Sequence, residues 1–176
     1  MKRKSRSSLF LVCCAIALIV ACYFSNVFEI TGLSAPTCGR VERKFQNNKN
    51  DLYRVCDYFE DINISESDSA RIDITDSAEK LKIIKYDSNS SSYVPHEQNI
   101  TNRKLSESIN NLKNAGYYVI LREYNYVCFG VWSSFDSDVC LIYSPYGEPE
   151  ITNVNCEKQV VKKLKTSGWY YVYTVS

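Results

Sequence analysis

Residues 117–143 read YYVILREYNYVCFGVWSSFDSDVCLIY, and this stretch decides the fold. Side chains alternate with a period of two along three successive runs, residues 118–124, 127–131 and 139–143, which is typical of β-strands. Ser133–Asp138 is the predicted turn between the last two runs. Consecutive parallel strands would need crossover helices, and only short turns join these runs. The stretch therefore predicts an antiparallel three-stranded meander.

Two amphipathic helices are predicted before the meander. In residues 41–61 the apolar side chains recur at helical spacing and form one stripe. A second helix contains Leu105, Ile109 and Leu112 at positions i, i+4 and i+7, and Gly116 follows where a helix commonly ends. Each stripe needs an apolar surface to pack on, and the sheet provides one.

The remaining segments complete the predicted order of elements. Residues 72–75 and 81–86 alternate around a turn-like segment and predict a hairpin. The Ser/Asn-rich segment 87–102 is predicted to be a loop, 157–165 a short helix, and 169–175 a final strand. The predicted fold class is α+β: one domain, residues 38–176, with an antiparallel sheet and helices packed on one face.

The N-terminus has the pattern of a membrane-targeting segment. Four basic residues lie within the first six positions, and an apolar run follows from Leu9 with no charge until Glu29. Residues 9–28 are long enough, at about 1.5 Å rise per residue, to cross a hydrocarbon core of roughly 30 Å. We therefore expect a cytoplasmic basic tail (1–8), a transmembrane signal anchor (9–28) and a linker (29–37), with the domain outside the cytoplasm.

Two other interpretations of this segment stay open. Ile19-Val-Ala-Cys22 resembles a lipobox, which would make Cys22 the lipidation site of a surface lipoprotein. The segment could also be an ordinary cleaved signal peptide, although no convincing cleavage site follows it. Each interpretation puts the residues from about 38 onward outside the cytoplasm.

Charge and cysteine content limit the function classes. The chain has 21 basic residues, of which four are in the N-terminal tail, and 20 acidic residues, of which only Glu29 precedes Cys38. The domain therefore has 17 basic and 19 acidic residues. This balance gives a nucleic-acid partner little electrostatic basis. The spacing of the domain's five cysteines matches no zinc pattern, and the chain has one histidine, so we predict no metal or cofactor site. The five are Cys38, Cys56, Cys128, Cys140 and Cys156.

The predicted turn also determines which cysteines can pair. If Ser134–Ser137 is a tight turn, Cys128 lies opposite Tyr143, and Cys140 is three residues away along the strand, at about 10 Å. Disulfide bonds need Cα atoms closer than about 7 Å. We therefore expect no disulfide between Cys128 and Cys140. One of the five domain cysteines must stay free or bridge to another chain, because their number is odd.

The strands and turns of the C-terminal half resemble a known class of protein. The resemblance lies in three stretches: Gly130-Val-Trp-Ser-Ser-Phe-Asp, Leu141-Ile-Tyr-Ser-Pro-Tyr-Gly and Gly168-Trp-Tyr-Tyr-Val-Tyr. Residues 104–176 resemble the C-terminal half of small membrane-anchored or lipoprotein-like proteins of Gram-positive bacteria. That class has no assigned function. The resemblance implies a bacterial cell-surface location and assigns no functional residue.

No catalytic set is evident, and the aromatic strands provide the main functional signal. A sheet face rich in tyrosine is suited to contacts with a protein or cell-wall partner if it stays uncovered; if covered, the same rings fill the core. The leading hypothesis is a non-enzymatic, membrane-tethered binding module that uses the exposed face and the 87–102 loop. The alternative is an enzyme with a dispersed site, in which a cysteine thiol acts with His96. A third hypothesis is an assembly subunit whose partner covers the sheet.

Overall fold

A computed structural model describes residues 34–62, 68–74, 80–87, 92–123, 125–151 and 157–175. The chain divides into two compact units, residues 1–36 and 37–176, and every element below belongs to the second. In chain order the elements are α1 (Cys38–Glu60), β1 (Ser69–Asp73), β2 (Lys80–Asp87), β3 (Ser92–Asn99), α2 (Arg103–Asn114), β4 (Val119–Arg122), β5 (Val127–Ser133), β6 (Ser137–Tyr143), β7 (Lys158–Lys163) and β8 (Trp169–Val175).

The eight strands form one antiparallel sheet. Their order is β3-β2-β1-β4-β5-β6-β8-β7, and every neighbouring pair is antiparallel. The predicted α+β class with an antiparallel sheet is confirmed. The hairpin β1–β2 and the meander β4–β5–β6 are also present, because short connections between alternating segments leave antiparallel pairing as the simplest geometry.

Helix α1 packs on one face of the sheet through aromatic rings. Its apolar stripe is fully buried, and the Phe45 ring lies 4.7 Å from the ring of Trp169 on β8. Trp169 also contacts Phe129 on β5 at 5.8 Å and Tyr143 on β6 at 5.1 Å. These tilted contacts between large buried rings make this face the main core of the domain. We call it the helix face, and the opposite face the outward face.

Helix α2 packs against α1 through both polar and apolar contacts. Ser108 is fully buried; its hydroxyl donates to Asp51 Oδ1 at 2.7 Å and accepts from Arg54 at 2.6 Å. The helix begins after Asn102, whose side chain accepts from the backbone N–H of Leu105, and Gly116 follows its end with a φ of 79°. The second predicted helix is thus confirmed together with its terminating glycine.

Residues 92–99, predicted to belong to a loop, form the edge strand β3. This strand pairs with β2 along its whole length, from Asp87↔Ser92 to Lys80↔Asn99. The prediction was wrong because residues 94–99 carry exposed or half-exposed side chains and include Pro95, so the segment lacks an alternating pattern. Proline and polar residues are tolerated on edge strands, where one side of the backbone needs no partner.

The short helix predicted at 157–165 is also wrong. Lys158–Lys163 form the other edge strand, β7, which pairs with β8. Val160 and Val161 lie opposite Tyr173 and Val172, so the two valines point to opposite faces of the sheet. Pairing with β8 and the β-branched valines outweigh the weak helical spacing of this segment. Gly168, with a φ of 78°, lies in the turn that joins the two strands.

The predicted membrane anchor, residues 9–28, lies outside the described residues. Within the described part of the chain, which starts at Ser34, no helix combines the length and apolar character needed to cross a membrane.

Candidate functional site

The outward face of the sheet contains a second, smaller hydrophobic cluster. Phe129, Leu141 and Trp169 point toward α1, so the residues that alternate with them point away from it. Cys128, Ile142, Tyr170 and Val172 are buried there, with half-buried apolar side chains around them. The central strands thus bury apolar side chains on both faces.

A β-bulge in β5 sets the composition of this cluster. Gly130 pairs with Cys140 and Trp132 pairs with Val139, so Val131 is an extra residue in β5. The predicted register assumed no bulge and was wrong by one residue at Cys128, which lies opposite Ile142 and not Tyr143. A shift of one residue moves side chains from one face to the other. Cys128 and Cys140 consequently share the outward face as diagonal neighbours.

The two thiols of this pair are free and line the same cavity. Cys128 and Cys140 are both unbridged, as expected, although the separation used to derive that expectation was too long. The neighbouring Cys140 thiol and burial both raise the pKa of Cys128 well above its ordinary value. A thiol with a raised pKa is a weak nucleophile at neutral pH, because the thiolate is the reactive form.

A cavity of about 300 Å³ opens on the outward face above this thiol pair. Its floor is apolar and sulfur-containing, and two tyrosine rings and two carboxyl groups stand around it. The residues that line it are Tyr118, Val119, Leu121, Glu123, Tyr126, Cys128, Asp138, Cys140, Ile142, Ile151, Val172 and Thr174. None of these described lining residues is basic.

Gly130 makes room for one wall of the cavity. A Cβ atom added at Gly130 would lie 2.5 Å from Cζ of Tyr118 and 2.6 Å from Cγ1 of Val119. The Tyr118 ring therefore lies where a side chain of residue 130 would stand. Glycine within a strand commonly marks such a close approach, and here it also adjoins the bulge. Tyr118 was predicted to share a face with Ile120, but β4 begins at Val119, and Tyr118 lines the outward cavity.

The carboxyl groups give the cavity its polar character. The Tyr118 hydroxyl donates to Asp138 Oδ1 at 3.4 Å, near the upper limit for a hydrogen bond. Burial raises the pKa of Glu123, and the positive charge of Arg122 acts in the opposite direction. Burial also raises the pKa of Tyr126, with the charge of Glu123 adding to the effect. These groups can accept hydrogen bonds from a ligand or attract a cation, and they disfavour an anion.

Beyond the cavity, the outward face becomes charged. On β1, Arg71 and Asp73 form an ion pair at 2.6 Å, and Lys82 on β2 lies 3.7 Å from the same carboxylate. Lys82 also lies 3.6 Å from Glu97 on β3. The apolar cluster of the outward face therefore lies on β4, β5, β6 and β8, with Val161 of β7 packed against it.

The structure does not assemble the thiol–histidine pair of the enzyme hypothesis around Cys128 or Cys140. His96 lies on edge strand β3, four strand spacings from β5, or about 19 Å. Cys38 and Cys56 lie on α1, and burial is the main cause that raises the pKa of each. Cys156 and the candidate lipidation site Cys22 lie outside the described residues.

Three tyrosines in or beside the strands, and Trp169, belong to the core. Tyr117, Trp169, Tyr170 and Tyr171 are buried, which matches the alternative in which the rings fill the core. Tyr118 and Tyr126 are half-buried and line the cavity. The predicted aromatic surface is therefore reduced, among the described residues, to a cavity with two tyrosine rings in its wall. Among the described residues, no group of three or more His, Cys, Asp or Glu side chains could hold a metal ion.

Comparison with known proteins gave no match to a family model, to a curated protein or to a solved structure. One signal in the sequence could have located the site: Gly130 interrupts an alternating strand, and such a glycine indicates a bulge or a close approach. Both are present at this position, and both shape the cavity.

Proposed function

We propose that this protein is a membrane-tethered, non-enzymatic binding module whose outward-face cavity accepts a compact apolar group of a protein or cell-wall partner. The observation that carries the proposal is the cavity of about 300 Å³ on a sheet face that α1 does not cover. Ligand sites are typically concave, largely apolar and equipped with a few polar groups, and this cavity has that composition. The absence of basic side chains among its described lining residues favours a neutral or cationic group.

The tethering part of the proposal comes from the N-terminal sequence. Basic residues in the first six positions and the apolar run from Leu9 favour a single-pass anchor with its N-terminus in the cytoplasm. Lipid attachment at Cys22 is the alternative, and either arrangement would hold the domain at the outer surface of a bacterial cell membrane. Resemblance of residues 104–176 to membrane-anchored and lipoprotein-like bacterial proteins supports the same location.

A non-enzymatic role is favoured by the chemistry of the cavity walls. The neighbouring Cys140 thiol and burial both raise the pKa of the Cys128 thiol, and His96 lies four strands away. An activated thiol is typically paired with a histidine or a positive charge, and the described lining residues include neither; the carboxyl groups of Glu123 and Asp138 raise the pKa of Cys128 instead.

Fragment binding tests the pocket. Neutral fluorinated aromatic fragments are added to the full chain in lipid nanodiscs, and the broadening of their ¹⁹F NMR signals is measured. Thr174 is half-exposed at the cavity wall, so Thr174→Trp should fill the cavity with little effect on the fold and abolish the broadening. Gln98→Trp is the matched control, because it adds the same ring at an exposed position on β3. Equal broadening for the three proteins and for empty nanodiscs would refute the binding proposal.

Intact mass tests the tether. Protein from isolated membranes of the source cell is expected to have the mass of the whole chain if residues 9–28 are an uncleaved anchor. A mass that begins at Cys22 and includes acyl chains would establish the lipoprotein instead. A mass without residues 1–28 and without lipid would refute both forms of the membrane tether.

A further inference from the structure

We infer that Cys128 and Cys140 are a redox-active pair: a small-molecule disulfide converts the two thiols in the cavity wall into a reversible intramolecular disulfide. This goes beyond the proposed function and does not depend on it. The pair exists because the bulge at Val131 shifts the register of β5 against β6, so that both thiols lie on the outward face.

The geometry favours formation of the bond. Diagonal neighbours on antiparallel strands lie about 7–8 Å apart with Cβ atoms closer, and a disulfide needs Cα atoms within about 7 Å. A small local shift therefore suffices, and the strand ladder is already interrupted just beyond the Gly130–Cys140 pair, at the bulge. The residue directly opposite Cys140 is Gly130, which has no side chain of its own, and the Tyr118 ring lies over this position. Both thiols line the same cavity on the same face of the sheet, so neither has to cross the sheet before oxidation.

The exposure of the two thiols to a reagent determines which of them reacts first in the two steps of thiol–disulfide exchange. Both thiols line the cavity, but Cys140 is half-buried whereas Cys128 is buried. The Cys140 thiolate attacks the reagent, so the bond from Cys140 Sγ to one reagent sulfur forms as the reagent S–S bond breaks and one reagent thiolate leaves. Cys128 Sγ then attacks Cys140 Sγ, and the second reagent thiolate leaves. The protein loses two protons and two electrons, and the reagent disulfide is reduced to two thiols.

The helix-face cysteines are poorly placed to compete with this pairing. Cys38 and Cys56 lie on α1, which packs on the opposite face of the sheet. The sheet therefore separates them from the cavity. Cys156 lies outside the described residues, and the experiment has to distinguish a bond to Cys156 from the bond proposed here.

The test uses the full chain in detergent micelles with bis(2-hydroxyethyl) disulfide as oxidant. This reagent is neutral, so the cavity carboxyl groups do not repel it. After acid quenching, free thiols are alkylated under denaturing conditions and the intact mass is measured. We expect two fewer alkyl adducts, a mass about 2 Da lower for the protein itself, and recovery of both adducts after dithiothreitol.

Peptide mapping without reduction identifies the bond. Trypsin leaves all three C-terminal cysteines on one peptide, residues 123–158, so cleavage before Asp136 or Asp138 and after Glu150 is needed to separate them. The expected product joins the Cys128 peptide to the Cys140 peptide. Two free thiols at these positions in excess oxidant, or a bond from either cysteine to Cys156, would overturn the inference.

Single-cysteine variants test the order of the steps. Cys128→Ser should stop at the mixed disulfide of Cys140, which is recognised by the added mass of one reagent half. Cys140→Ser should leave Cys128 unmodified over the same time, whereas equal modification of Cys128 would refute the proposed order. Cys38→Ser is the control, because it removes a thiol on the helix side and should leave the Cys128–Cys140 bond unchanged. The mapping of the wild-type chain decides the pairing even if a variant fails to fold.

Discussion

The two faces of strands β5, β6 and β8 bury apolar side chains in different ways. On the helix face, the rings of Phe45, Phe129 and Tyr143 surround Trp169, which is fully buried. On the outward face, Cys128 and Ile142 belong to a smaller cluster that leaves a cavity of about 300 Å³. One face is closed by a helix packed across the strands. On the other, the described residues that cover the strands are side chains of the sheet itself and of neighbours such as Ile151.

This difference teaches how to interpret apolar runs in strands. An antiparallel sheet with one wet face alternates cleanly between apolar and polar residues, whereas strands buried on both faces have continuous apolar runs. Residues 127–130 and 169–172 are all buried, so consecutive side chains are removed from water on both faces. The outward cluster is the consequence, and its incomplete cover provides the pocket.

The largest expected effect tests the helix face. Phe129 has 0% relative exposure and contacts Trp169, whereas Phe135 has 107% exposure in the turn of the same hairpin. Phe129→Ala should lower the free energy of unfolding by about 3–5 kcal/mol through lost burial and a cavity. Phe135→Ala, the matched control, should change it by less than about 0.5 kcal/mol. Urea unfolding followed by tryptophan fluorescence measures both, and similar losses would contradict the assignment of Phe129 to the main core.

The second prediction concerns the outward face. Gly130→Ala introduces a Cβ that would lie 2.5 Å from the Tyr118 ring, so Tyr118 or β5 must move. We expect a loss of about 1–3 kcal/mol in the free energy of unfolding. The double variant with Tyr118→Ala should recover part of this loss, because the ring no longer occupies the space.

Gly39→Ala in α1 is the control for this substitution. Nothing lies within 4 Å of an added Cβ at Gly39, and alanine favours the helix, so stability should stay equal or rise by up to about 1 kcal/mol. If Gly130→Ala behaved like Gly39→Ala, the close approach of Tyr118 to β5 would be refuted.

A smaller effect depends on pH. Because burial raises the pKa of Glu123 above its ordinary value of 4.5, the folded state holds this proton more tightly than the unfolded state. Glu123 therefore destabilises the fold as pH rises from about 4.5 through the raised folded pKa. Glu123→Gln should be more stable than the wild type at pH 7, by less than about 1 kcal/mol because the group is half-exposed, and the advantage should vanish near pH 4.

Thermal unfolding at several pH values checks this prediction. Asp136→Asn is the matched control, because Asp136 is exposed in the β5–β6 turn. An advantage of Glu123→Gln that stays constant from pH 4 to pH 7 would show that burial of the charge is not its cause.

The smallest expected change in stability concerns Tyr117, whose ring is buried. Its hydroxyl is buried without a hydrogen-bond partner among the described residues, while Lys44 Nζ lies 4.4 Å from the centre of its ring. Tyr117→Phe removes the unsatisfied hydroxyl and keeps the ring, so stability should stay equal or rise by up to about 1 kcal/mol. A loss larger than about 1 kcal/mol in urea unfolding would show that the hydroxyl has a partner in solution.

Elements with a strong internal period could be predicted, and edge strands could not. The stripes of α1 and α2 and the alternation of β4, β5 and β6 are local patterns, each repeated over several residues. Strands β3 and β7 have mostly exposed side chains and form because β2 and β8 offer them backbone partners. A local pattern contains no information about a partner that lies elsewhere in the chain.

The residue types of the candidate site could be predicted from the sequence, but their arrangement could not. The sequence shows two cysteines and several tyrosines in adjacent strands, but their assembly depends on one bulge residue, Val131. Without the bulge, Cys128 and Cys140 would lie on opposite faces. Because side chains alternate with a period of two, a single extra residue decides which of them meet.

The α+β class, the two helices and the antiparallel meander follow from local sequence patterns, because periodicity and short turns are properties of neighbouring residues. The register of β5 against β6, the position of Tyr118 over Gly130 and the pairing of both edge strands depend on the folded domain. These features depend on backbone hydrogen bonds and packing between segments that lie apart along the chain. The cavity and its thiol pair belong to this second group, because one added residue in β5 changed which side chains share a face.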